Sequence, residues 1–138
     1  MAHRILVVDD EAHIVQVLTF KLRNAGYDVV TAVDGEEGFE MACQDLPDLI
    51  ITDFQMPYMT GLELCKALAE QDSTANIPIL MLTARGYALD EEDLAIGNIK
   101  GVLSKPFSPR AVVAQVAELL EAPGGDQAST TDPQSEAA

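Results

Sequence analysis

Residues 5–13 read ILVVDDEAH. Four apolar side chains, Ile5 to Val8, run without interruption into two adjacent carboxylates, Asp9 and Asp10. A short, unbroken apolar run bounded by polar residues predicts a strand buried on both faces. Neighbouring like charges repel and each is best solvated, so a pair of acids at the end of such a strand needs something beside it that tolerates negative charge.

The rest of the chain repeats this alternation of short apolar runs and longer amphipathic stretches. Residues 11–25 place Ile14, Val17, Leu18 and Leu22 on one helical face, and Gly26 suits the helix end. A weaker strand follows at 28–32 and a helix at 35–44. The run Leu49-Ile50-Ile51-Thr52 predicts a third strand that stops at Asp53. A helix over 61–71 turns Leu64, Cys65 and Leu68 inward, and a fourth strand spans 77–82 with Pro78 at its start, where a missing N–H is tolerated. A short helix near 90–96 opens on Asp90-Glu91-Glu92, acids that suit a helix N-terminus. The fifth strand is 102–104. Ser108-Pro109 then predicts an N-cap with proline at the first helical position, leading into Val112, Val113, Val116, Leu119 and Leu120. Five strands alternating with five helices predict an α/β domain, a parallel sheet covered on both faces. The most apolar strands, the first, third and fourth, belong at its centre, and the weak second strand at an edge.

Composition narrows the function. The 138 residues suffice for one domain with a proper core, assigned to 1–121. Residues 122–138, APGGDQASTTDPQSEAA, lack periodicity and large apolar side chains and are expected to form a disordered tail that cannot fold an output domain. With 8 basic and 23 acidic residues, net −15, the chain is a poor electrostatic partner for nucleic acid or an anionic membrane. No signal peptide and no run approaching the ~20 apolar residues of a membrane span is present, so a cytoplasmic location is expected. Cys43 and Cys65 have neither a CxxC pairing nor a histidine cluster, and are read as small buried apolar residues. His3 and His13 are read as surface residues.

In an open parallel sheet, ligands bind beyond the carboxyl ends of the strands. That edge collects Asp9 and Asp10 from the first strand, Asp53 from the third, Thr83 from the fourth and Lys105 from the fifth. Each alone is an ordinary turn or surface residue. Three carboxylates, a hydroxyl and an ammonium at successive strand ends form a joint signal. Oxygen donors without sulfur or imidazole select a hard cation, and one that shares its shell with a phosphate oxygen is Mg²⁺; nothing resembles a calcium-binding loop.

Four stretches carry a family resemblance: LVVDDE (6–11), DFQMPYMTGLEL (53–64), MLTARG (81–86) and LSKPFSP (103–109). In order and spacing the chain resembles a response-regulator receiver domain of two-component signalling, in particular the stand-alone, chemotaxis-regulator type. The resemblance implies a flavodoxin-like doubly wound sheet of strand order 2-1-3-4-5. It implies that Asp53 accepts a phosphoryl group, that Thr83 and Lys105 hold its oxygens, and that Asp10, Asp53 and the backbone carbonyl of Gln55 bind Mg²⁺ directly, with Asp9 acting through water. It implies a cis Lys105–Pro106 bond, and a loop shaped by Met56, Pro57 and Gly61. The phosphoryl donor would be a sensor histidine kinase or a phosphotransfer protein, and the output a contact with a downstream protein rather than with nucleic acid or membrane.

Two departures stand out. The family places an aromatic residue three positions before the lysine, where this chain has Val102, and the stretch from Gly97 to Lys105 is one residue longer than the common pattern. Two rival readings are weaker. A Mg²⁺-dependent phosphohydrolase would want a second carboxylate two positions after Asp53, where Gln55 stands. A non-phosphorylated scaffold would have lost Asp53, Lys105 or the acidic pair, all of which are present. The absence of GxGxxG and GxxxxGK[ST] disfavours nucleotide-binding folds. The reading is therefore a single-domain response regulator, a switch rather than an enzyme.

Overall fold

A computed structural model describes residues 3–84 and 89–121. The chain runs β1 (Arg4–Val8), α1 (Ala12–Asn24), β2 (Asp28–Ala32), α2 (Gly35–Asp45), β3 (Leu49–Asp53), α3 (Gly61–Ala69), β4 (Ile79–Thr83), α4 (Glu91–Leu94), β5 (Ile99–Ser104) and α5 (Pro109–Glu121). The strands form one parallel sheet in the order β2-β1-β3-β4-β5, the flavodoxin-like arrangement.

Period-two alternation within the apolar strands divides the core into two layers. Leu6, Val8, Ile50, Ile79 and Met81 face one side, where they meet Leu64, Cys65 and Leu68 of α3. Ile5, Val7, Leu49, Ile51, Leu80 and Leu82 face the other, against Leu18 and Leu22 of α1 and Val112 and Val116 of α5. Every residue of β3 and β4 is buried, as central strands require. The second layer is narrower than the sequence suggests. Val17 is 39% exposed, so α1 turns a tighter stripe to the sheet than the full apolar face of its sequence. Cys65 is buried, whereas Cys43 is only partly so.

Pro78 lies just outside β4. It has no N–H to give, yet its carbonyl oxygen accepts from the N–H of Ile50 at 3.0 Å and so still helps seat β3. β5 begins three residues earlier than its sequence suggests, and the reason is a register shift. Ile79 pairs with Ile99, but Leu80 pairs with Gly101, leaving Lys100 as an extra residue in β5. The bulge lies within the stretch from Gly97 to Lys105. It lets Ile99 join the first layer while Gly101 lies against Leu80 of the second. Without it, every later side chain of β5 would face the wrong side of the sheet.

Four helices begin on a side-chain cap. Asp34 accepts from the N–H of Glu37, Thr60 and Glu63 form a reciprocal box, Asp90 and Asp93 form another, and Ser108 accepts from the N–H of Ala111. Helix α1 is the exception: its N-cap is Glu11, whose side chain makes no capping bond. α4 is only one turn long and buries none of its residues, and Val102 of β5 is 39% exposed. The expected disordered tail, residues 122–138, lies outside the described residues, as do Arg85 and Gly86 of the MLTARG stretch.

Candidate functional site

Asp9, Asp10 and Asp53 each present a carboxylate oxygen, and the three atoms lie within 4.8 Å of one another. The parallel sheet brings them together, since β1 and β3 are adjacent and both end at this edge. Asp9 is 1% exposed and Asp53 5%, while Asp10 is exposed. Asp9 is fixed from two directions. Its N–H donates to the carbonyl oxygen of Ala32 at 3.2 Å, and its Oδ1 accepts from the N–H of Glu11 at 2.9 Å. Its Oδ2 is buried without a hydrogen-bond partner among the described residues. A buried, unpartnered carboxylate oxygen is costly unless a cation or its water reaches it.

Burial pushes the Asp9 carboxyl up to about 6; the Glu11 N–H bond opposes that shift and the charge of Asp53 adds to it. Burial likewise raises Asp53, against the hydrogen bond and charge of Lys105. Protein groups alone therefore leave the acidic pocket short of positive charge. An all-oxygen donor set with that deficit fits Mg²⁺, which takes one or two carboxylates and keeps several waters.

Lys105 supplies the cation that the chain itself carries. Its Nζ lies 3.0 Å from Asp53 Oδ1, 3.0 Å from Glu11 Oε1 and 3.8 Å from Asp9 Oδ2. Partial burial works against the ammonium, but the hydrogen bonds to Glu11 and Asp53 outweigh it and its pKa is raised. The lysine is placed by backbone contacts: its N–H donates to the carbonyl oxygen of Thr83 at 2.7 Å, and the bond to Pro106 is cis. Thr83 ends β4 fully buried, and its Oγ1 has no hydrogen-bond partner among the described residues.

The loop after Asp53 turns back tightly. The N–H of Phe54 donates to the carbonyl oxygen of Leu82, and the N–H of Gly61 donates to the carbonyl oxygen of Phe54, both at 2.8 Å. A Cβ at position 61 would collide with the backbone oxygen of Asp53, which gives Gly61 a steric reason for its place. Met56 is 8% exposed and packs into the first layer, while Gln55 and Pro57 are exposed. His3 and His13 are exposed as expected.

All five strand-end residues singled out in the sequence thus meet at one edge. Glu11 joins them unanticipated. Its only sequence signal is a third acid following Asp9 and Asp10, and a run of acids at a helix start reads as solvated charge.

Comparison with known proteins agrees with this geometry. Residues 5–117 match the response regulator receiver domain family. The alkaline phosphatase synthesis transcriptional regulatory protein PhoP of Bacillus subtilis is 47% identical over 124 residues, covering 87% of this chain and 49% of the relative. The phosphate regulon transcriptional regulatory protein PhoB of Escherichia coli is 38% identical over 123 residues, covering 87% of this chain and 52% of the relative. The chain thus spans about half the length of the curated relatives it matches. Among solved structures, the chemotaxis response regulator CheY4 of Vibrio cholerae superposes with a TM-score of 0.79 at 37% identity, over 86% of this chain and 99% of that one. A response regulator from Chloroflexus aurantiacus gives 0.76 at 36% identity, over 87% and 98%. The chain belongs to the response-regulator receiver domains, the phosphoacceptor modules of two-component signalling.

Proposed function

We propose that Asp53 is the phosphoacceptor of this domain, that Thr83 and Lys105 hold the phosphoryl oxygens, and that Asp9, Asp10, Asp53 and the backbone carbonyl of Gln55 hold Mg²⁺. The observation that carries the reading is the contact of Lys105 Nζ with Asp53 Oδ1 at 3.0 Å beside two further carboxylates. In the step itself, an oxygen of the Asp53 carboxylate attacks phosphorus in line. The O–P bond forms as the P–N bond of a phosphohistidine breaks, and the departing imidazole takes up a proton from solvent. Asp53 enters as the carboxylate, a form that Lys105 favours against the effect of burial. Lys105 and the Thr83 hydroxyl donate to phosphoryl oxygens as charge moves onto them. Mg²⁺, when bound, supplies further neutralisation of that charge.

As a receiver domain of this family, the chain takes its phosphoryl group from a separate histidine kinase or phosphotransfer protein, or from a small phosphoramidate. With a net charge of −15, this chain's own output is a changed contact with a downstream protein rather than with nucleic acid. The domain assignment follows: 1–121 as the receiver and 122–138 as a tail outside it. Incubation with phosphoramidate and Mg²⁺ tests the reading. Intact-mass measurement should show one added phosphoryl group, abolished by EDTA, and absence of uptake at saturating donor would refute it.

A further inference from the structure

Glu11 is placed oddly for a helix-capping residue. Glutamate is not among the good N-caps, and here it caps nothing: its carbonyl oxygen serves the N–H groups of Ile14 and Val15, while its side chain leaves the helix altogether. The other four helices each open on a capping Asp, Ser or Thr. The Glu11 carboxylate goes instead to Lys105, with Oε1 3.0 Å from Nζ, as close as Asp53. One ammonium is therefore shared between the acceptor and a residue outside the Asp9–Asp10–Asp53 oxygen set.

An ammonium has three N–H donors. Glu11 and Asp53 each take one at 3.0 Å, and Asp9 Oδ2 lies 3.8 Å from the same nitrogen. When Asp53 carries a phosphoryl group, the new oxygens must draw Lys105 away from Glu11 or share it. Glu11 also adds a negative charge beside a group that has just become more negative. Both effects oppose retention of the phosphoryl group.

We propose that Glu11 is a positioning residue that tethers Lys105 toward the start of α1 and thereby weakens the hold of the domain on the phosphoryl group at Asp53. The proposal rests on Asp53 being the acceptor. Its size is set by exposure: the Glu11 side chain is 52% exposed and that of Lys105 24%, so the pair is a partly screened one. Such pairs change an equilibrium by about two- to fivefold.

The test is a double-mutant cycle on beryllofluoride, which stands in for the phosphoryl group, titrated at saturating Mg²⁺ and followed by amide NMR. Glu11→Gln should tighten beryllofluoride binding by about two- to fivefold. In a Lys105→Ala background most of that gain should vanish, because there is no ammonium left to compete for. Without Mg²⁺ or beryllofluoride, Glu11→Gln should also move the Lys105 ¹³Cε and ¹⁵Nζ signals, and Glu11→Asp should restore part of both effects. Equal gains in the two backgrounds would show simple repulsion through space and overturn the tether. So would unchanged or weaker binding in Glu11→Gln. Failure of the parent reading has a different signature: beryllofluoride responses in the wild-type protein that persist in Asp53→Asn, or none at all, which would refute both.

Discussion

Lys105 and Asp53, 52 positions apart in the sequence, hold each other at 3.0 Å across two strand ends. The contact is set by the backbone, through the bond from the Lys105 N–H to the Thr83 carbonyl oxygen. Removing the ammonium should slow phosphoryl uptake without moving its site. A charged hydrogen bond contributes about 1.5–3 kcal/mol, so Lys105→Ala should reduce the rate from phosphoramidate by roughly ten- to a hundredfold. Because Lys105 holds the Asp53 carboxyl down against burial, its loss should also move the half-maximal pH of uptake upward. A rate within twofold of wild type would contradict this role.

Asp9 makes stability depend on pH in a specific direction. Its folded-state value of about 6 lies above the ordinary 3.8, so between those values the folded protein binds more protons than the unfolded chain. Stability from this residue is therefore present at low pH and is lost as pH rises through that window, by up to about 3 kcal/mol. In EDTA, Asp9→Asn should melt higher than wild type at pH 7.5, with a much smaller gap at pH 4.5. Saturating Mg²⁺ should narrow the gap at pH 7.5 by stabilising the wild type. A gap that does not change with pH would refute the burial argument.

Gly61→Ala should damage both stability and the site. The added methyl would meet the Asp53 backbone oxygen and stand 3.0 Å from Met81 Sδ. Overpacking of that kind costs about 1–3 kcal/mol, read as a lower urea midpoint. Because the atom displaced belongs to the proposed acceptor, uptake should fall at temperatures where the variant is still folded. A folded variant with normal uptake would show that the loop can move without consequence.

Much of this was legible in the residues, for identifiable reasons. Uninterrupted apolar runs mark β1, β3 and β4 because central parallel strands are buried on both faces, and the polar residues that stop them become the site. β5 was harder. Gly97, Asn98 and Gly101 break its pattern, and the bulge at Lys100 destroys the alternation that would reveal Ile99. Val17 is exposed although it lies on the apolar stripe of α1, because helical periodicity shows such a stripe but not how wide a stripe the sheet accepts. Glu11 was hidden by its neighbours, since nothing in a run of acids indicates which one bends back to a lysine 94 residues away.

Val102 bears on how far a signal at Asp53 travels. It pairs in register with Met81 yet is 39% exposed and outside both buried layers. A small β-branched side chain at that position has few rotamers and little packing to gain or lose, and a ligand shifts a conformational equilibrium only through such differences. Beryllofluoride should therefore perturb amide signals around Asp9, Asp53, Thr83 and Lys105 while leaving those of Val102 and α5 within a small fraction of those shifts. Extensive changes through β5 and α5 would mean that the chain transmits by a route that does not need a large side chain at 102.

On the proposed chemistry the phosphoryl group is carried on Asp53 and not on either of the acids beside it. Trapping the phosphorylated protein with borohydride, which reduces an acyl phosphate to the alcohol, followed by tandem mass spectrometry of the peptide spanning β3, reads the site directly. Homoserine is expected at position 53, with Asp9 and Asp10 unmodified and no product from Asp53→Asn. Homoserine at 9 or 10, or an undiminished yield in Asp53→Asn, would contradict it.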